Sequence, residues 1–63
     1  MIVDAKADYT AIGRVAYNLR VQVRDIERAA DRLGLVPAIR INLVPHFDGE
    51  QVVKLMEELR TES

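Results

Sequence analysis

The chain of 63 residues has no cysteine and no tryptophan, one histidine, two prolines and three glycines, and its only aromatics are Tyr9, Tyr17 and Phe47. The lack of cysteine excludes a disulfide framework and a thiolate metal site, and one histidine does not build a metal centre alone. No metal, no other cofactor and no small-molecule ligand are therefore expected. A glycine-rich phosphate loop is missing, as is any Ser/His/Asp or Cys/His set, so the chain is not expected to be an enzyme. No apolar run approaches membrane-spanning length, and the opening MIVDAKAD has neither the basic region nor the apolar stretch of a signal peptide. The expectation is a soluble cytoplasmic protein that makes no contact with membrane.

Hydrophobic residues make up 49% of the chain and charged residues 30%, a balance that favours a folded globule over a disordered tail. At this length there is room for one domain with one modest core. The formal net charge of −1 conceals an uneven distribution. Seven of the nine basic residues are arginine, and Arg14, Arg20, Arg24, Arg28 and Arg32 fall in the first half. Glu50, Glu57, Glu58 and Glu62 fall in the last segment. Such a molecule is electrically lopsided.

Thr10 reads as an N-cap, and Ile12, Val15, Ala16 and Leu19 recur at helical spacing, predicting a first helix of roughly ten residues. Arg20, Val21 and Gln22 interrupt the period. Val23, Ile26, Ala30 and Leu33 then share one face of a second helix that stops at Gly34. Around its other side Arg24, Arg28 and Arg32 step by four into a basic stripe flanked by Asp25, Glu27 and Asp31. From Ala38 to Asn42 the chain alternates, placing Ile39 and Ile41 on one face of a strand and Arg40 and Asn42 on the other. Val44 to Phe47 forms a second strand of a hairpin that turns near Asn42 and Leu43, with Pro45 confining it to a sheet edge. Asp48 then caps a last helix, Gln51 completes a capping-box variant, and Val52, Leu55, Met56 and Leu59 form the buried stripe. The expected fold is mainly α with a small β-hairpin, in the order helix, turn, helix, hairpin, helix. Residues 9–60 form the domain between a flexible segment 1–8 and a flexible end 61–63.

Tyr9-Thr10, Ile12-Gly13, Val15-Ala16, Leu19 and Val21 resemble the opening of MerR-like and excisionase-type winged helix-turn-helix domains. Leu33-Gly34-Leu35-Val36-Pro37 resembles their exit from the second helix, and Phe47-Asp48 before an amphipathic helix resembles their return from the wing. Three positions depart from the pattern. Arg20 stands where the family's turn commonly carries glycine, Gln22 replaces the usual Ser or Thr cap, and Leu43 in the wing turn points to a longer or bulged connection. The chain also has no residues for the long dimerising helix and effector domain of full MerR regulators, so the likeness is to the minimal DNA-binding module.

The resemblance implies binding of double-stranded DNA, by a transcriptional regulator or an excisionase-like architectural factor that would be nucleoid-associated. The second helix would enter the major groove and present Gln22, Arg24, Asp25 and Arg28 to base edges or phosphates. Arg20 would add charge at the turn, Arg14 and Tyr17 would reach phosphates from the first helix, and Arg40, Asn42 and His46 would do so from the wing. A homodimer or cooperative neighbours on DNA would raise specificity. Plainer readings stand beside these: a solvated arginine face with Asp25–Arg28 pairing, an ordinary exposed His46, and a Tyr17 ring packed over the helix junction. The rival function is a protein-interaction module, with Val53 widening the apolar face of the last helix into an interface.

Overall fold

A computed structural model describes residues 9–62. Three helices, α1 (Ile12–Leu19), α2 (Val23–Leu33) and α3 (Gly49–Glu62), account for most of them. Three short strands, β1 (Thr10–Ala11), β2 (Ile39–Ile41) and β3 (Val44–Phe47), form an antiparallel sheet in the order β1-β3-β2. The predicted segment 1–8 lies outside the described residues, and α3 runs past the predicted domain boundary at residue 60.

One core gathers all three helices onto the sheet. Ile12, Val15 and Ala16 of α1, Ile26 and Ala29 of α2, Phe47 of β3 and Leu55 of α3 are buried together. Leu19, Val21, Ala30, Leu35, Val52 and Leu59 close around them. No polar or charged side chain is buried among the described residues, so burial of apolar surface carries the fold.

The first helix begins differently from the sequence expectation. Thr10 is not its cap but a strand residue paired with Phe47, and Ala11 is paired with His46. The cap position falls to Ala11, whose side chain has no acceptor, so α1 starts without a side-chain cap. A helix of 8 residues with no cap depends on tertiary packing, which Ile12, Val15 and Ala16 supply.

α1 and α2 end in the same way. At the end of α1, the Arg20 N–H bonds to the Tyr17 carbonyl at 3.2 Å and the Val21 N–H to the Ala16 carbonyl at 3.0 Å. At the end of α2, the Gly34 N–H bonds to Asp31 at 3.1 Å and the Leu35 N–H to Ala30 at 2.8 Å. This is the Schellman arrangement, in which one residue turns left-handed and satisfies carbonyls the helix leaves open. Arg20 adopts the left-handed conformation in full, φ 61°, at a cost of about 1 kcal/mol that glycine escapes.

The hairpin corrects two further expectations. Ile41 pairs with Val44, so Asn42 and Leu43 form a tight two-residue turn, neither longer nor bulged. Both carry positive φ, 53° and 69°, as a type I′ turn requires. Pro45 lies in the central strand, not at an edge. The turn makes Ile41 and Val44 the hydrogen-bonded pair, leaving Arg40 and Pro45 as the next, non-hydrogen-bonded one. The Pro45 nitrogen thus faces the β1 side, where the two-residue strand has already given way to α1, and no ladder donor is lost.

Alternation from the buried Phe47 sets the two faces of the sheet. Pro45 and Arg40 share the inner face with Phe47, whereas Ile39, Ile41 and Val44 lie on the outer face, substantially exposed. The turn into α3 is a reciprocal capping box: the Gln51 N–H donates to Asp48 Oδ1 at 2.8 Å and the Asp48 N–H to Gln51 Oε1 at 3.1 Å. Gln51 Nε2 also donates to the Val36 carbonyl, tying the connection after α2 to the start of α3.

Candidate nucleic-acid interface

The second helix is amphipathic by sequence, and its phase decides which arginines reach solvent. With Ile26 and Ala29 buried, a rotation of roughly 100° per residue sends Arg24 and Arg28 to the opposite side, and both are exposed. Neither makes an ion pair with Asp25 or Glu27. The third arginine of the stripe behaves otherwise. Arg32 Nε donates to Glu58 Oε2 of α3 at 2.8 Å, a bridge that holds the end of α2 against α3.

Asp25 is turned to the helix itself. Its Oδ2 accepts the Gln22 N–H at 2.9 Å, and the half-buried carboxylate closes the first turn of α2 in place of a Ser or Thr cap. Its negative charge also lies favourably at the helix N-terminus. Gln22 itself is exposed in extended conformation immediately before the helix.

On α1, Arg14 and Tyr17 are exposed and line one shallow depression with Gly13. Tyr17 is 77% exposed, which removes the reading in which its ring packs over the helix junction. Arg20 is exposed in the turn between the two helices.

The β2–β3 wing contributes unevenly. Asn42 is exposed in the turn. Arg40, on the inner face, borders a cleft of about 220 Å³ between sheet and α2, whose walls include Glu27, Asp31, Pro45 and Phe47. The flank of α2 toward the wing is thus acidic while its outward face carries Arg24 and Arg28. His46 is half-buried in the central strand between Ala11 and Ile39, and its Nδ1–H donates to the Val44 carbonyl at 2.9 Å. That bond ties the imidazole to the backbone of its own strand.

The structure therefore places Arg14 with Tyr17, and Arg24 with Arg28, while it directs Asp25 and His46 to intramolecular bonds. A reading by charge passes over Leu43, exposed at the wing tip. The signal for it is a branched side chain following Asn42 where a two-residue turn demands positive φ.

Among the described residues no group of three or more His, Cys, Asp or Glu side chains is arranged to hold a metal, and no helix is long and apolar enough to cross a membrane. An apolar groove of about 260 Å³ runs between Leu19 and Val21 on one side and Met56, Leu59 and Arg60 on the other. Val53 stands exposed on α3.

No protein-family model matches the chain, and neither a curated protein nor a solved structure is significantly similar to it.

Proposed function

We propose that this chain is a winged helix-turn-helix protein that binds double-stranded DNA, with α2 as recognition helix and the β2–β3 hairpin as wing. It acts in this reading as a transcriptional regulator or an excisionase-like architectural factor. One observation carries the proposal: Arg24 and Arg28 stand one turn apart on the outward face of α2 and neither is neutralised by a carboxylate. Guanidinium groups so placed fork onto guanine edges in the major groove or onto phosphates.

The remaining parts follow from the placement of side chains. Arg14 and Tyr17 hold phosphates from α1, Arg20 adds a cation at the turn, and Gln22 offers an amide at the entry of α2. Asp25 acts as a positioning residue, since its bond to the Gln22 N–H fixes the start of the helix that presents Arg24 and Arg28. Arg40 and Asn42 approach the backbone from the wing. Glu50, Glu57, Glu58 and Glu62 lie on α3, a separate element, while Glu27 and Asp31 confine the basic surface of α2 to the side that carries Arg24 and Arg28.

A second reading has its own observation. The groove between Leu19, Val21, Met56 and Leu59 suits an apolar side chain of a partner helix or a second copy, which favours a protein-interaction module. Fluorescence anisotropy of a labelled random duplex, at low and moderate salt, separates the two. DNA binding predicts salt-sensitive association that Arg24→Ala/Arg28→Ala abolishes. No association even at low salt refutes it and favours the interaction module.

A further inference from the structure

We propose that the outer face of the β1-β3-β2 sheet is an association surface, and that its occupant is the same face of a second copy of this chain. The inference goes beyond the DNA-binding reading and does not depend on it.

The first ground is an inverted alternation. In an antiparallel sheet covered by helices on one side, apolar residues ordinarily point to the helices and polar ones to water. Here Arg40, the only Lys, Arg, Asp or Glu in the three strands, shares the inner face with Pro45 and Phe47. Ile39, Ile41 and Val44 point outward and are 40%, 46% and 39% exposed. Strand pairing continues their face to His46 and Ala11, and Leu43, 89% exposed, adjoins it at the tip. The core packs on the other side, through Phe47.

The second is charge. The chain is 30% charged, yet these outward positions carry no carboxylate, ammonium or guanidinium, and His46 has its Nδ1 tied to the Val44 carbonyl. A duplex or a charged peptide finds no counter-charge there. A second copy meets the same uncharged face, as a two-fold interface requires. Pairing β2 edge to edge is the poorer arrangement, since Arg40 stands at the centre of that strand and would face its own copy. Stacking the two sheets face to face keeps both guanidinium groups on the far sides.

Third comes size. In chains shorter than about 80 residues one core seldom suffices, and disulfides, a structural metal or association commonly supply the rest. This chain has no cysteine and one histidine, which leaves association. The exposed apolar area on the face is on the order of 400 Å² per copy. Two such faces with their rims come near the roughly 1,000 Å² at which an interface becomes specific. The dimer is therefore weak and concentration-dependent.

The arrangement leaves the arginines open. α2 lies on the inner side of the sheet, across the cleft bordered by Arg40, Glu27 and Asp31, so a copy docked on the outer face covers neither Arg24 nor Arg28. The dimer surface also lies apart from the Leu19, Val21, Met56 and Leu59 groove, which belongs to α1, its turn and α3.

The test is sedimentation equilibrium of the full chain without DNA, from micromolar to millimolar concentration, with thermal melts over the same range. The parent should pass from monomer to dimer, and its melting temperature should rise with concentration. Ile41→Lys should stay monomeric and melt at one temperature throughout. Ile41→Thr keeps a β-branched strand former while removing apolar surface, so it guards against a failure to fold and should also weaken the dimer. Val53→Lys, on the exposed side of α3, should dimerise as the parent does. A parent that remains monomeric overturns the proposal and leaves the face to a different partner. A dimer that persists in both Ile41 variants, or that Val53→Lys dissolves, overturns it too by placing the contact elsewhere. Because no duplex is present, none of these outcomes bears on the DNA reading, which the anisotropy titration decides separately.

Discussion

Arg20 and Gly34 occupy equivalent positions: each turns left-handed just beyond its helix, at φ 61° and 65°, and each closes that helix with the same pair of backbone hydrogen bonds. Glycine meets this requirement without strain, and arginine does not. The chain thus uses the unstrained solution at the end of α2 and the strained one at the end of α1, where a cation stands beside the proposed DNA face.

Arg20→Gly should stabilise the fold by about 1 kcal/mol, a rise in melting temperature of roughly 4–8 °C for a domain of this size, while weakening duplex binding. Arg20→Ala, which removes the charge and keeps the strain, should weaken binding without that gain. Circular dichroism melts with anisotropy titrations check both halves, and a lower melting temperature for Arg20→Gly would contradict the strain argument.

Arg28→Ala should leave the melting temperature essentially unchanged, because the side chain is exposed and makes no ion pair. Its duplex affinity should fall by about 1–3 kcal/mol if the guanidinium reads a base; a phosphate contact would instead flatten the salt dependence by about one unit of slope. Binding equal to that of the parent would show that α2 is not the recognition helix.

Ile26→Asp should abolish cooperative melting. Ile26 is fully buried at the centre of the core, and a carboxylate there finds no partner, a penalty of several kcal/mol against a small domain's total stability. A variant that melted at the parent's temperature would mean that the phase of α2 has been assigned incorrectly.

Glu58→Gln should cost less than about 1 kcal/mol, since the Arg32–Glu58 bridge is partly exposed. The difference from the parent should shrink as salt rises. A loss that persisted at high salt would assign Glu58 a packing role.

The sequence made the extent of α2 legible, since Val23 opens its apolar period and Gly34 ends it, but not its buried face: Ala29 is buried beside Ile26, whereas Val23 and Leu33 are exposed. The capping box of Asp48 and Gln51 was equally readable, since both partners lie within one helical turn. β1 was not. Thr10–Ala11 is too short to alternate, and its strand character comes entirely from Phe47 and His46, distant in sequence. The same hidden strand explains Pro45: the residue reads as an edge signal, but the sheet has a third member that stops just short of it. In the candidate site, the exposure of Arg24 and Arg28 followed from the helix period. The intramolecular bonds of Asp25 and His46 depend on side-chain geometry, which spacing does not encode.

The pairing of Thr10 with Phe47 also bears on the order of assembly. α1, its turn and α2 are close in sequence, as are β2 and β3, so both units close small loops and form early. β1 adds only two residues of ladder and must bridge nearly the whole domain, a closure whose entropy is recovered only once Phe47 is in place against Ile12. That makes the junction of β1 and β3 the last seam to close and the first to open, and its amides should exchange with solvent ahead of those in α2.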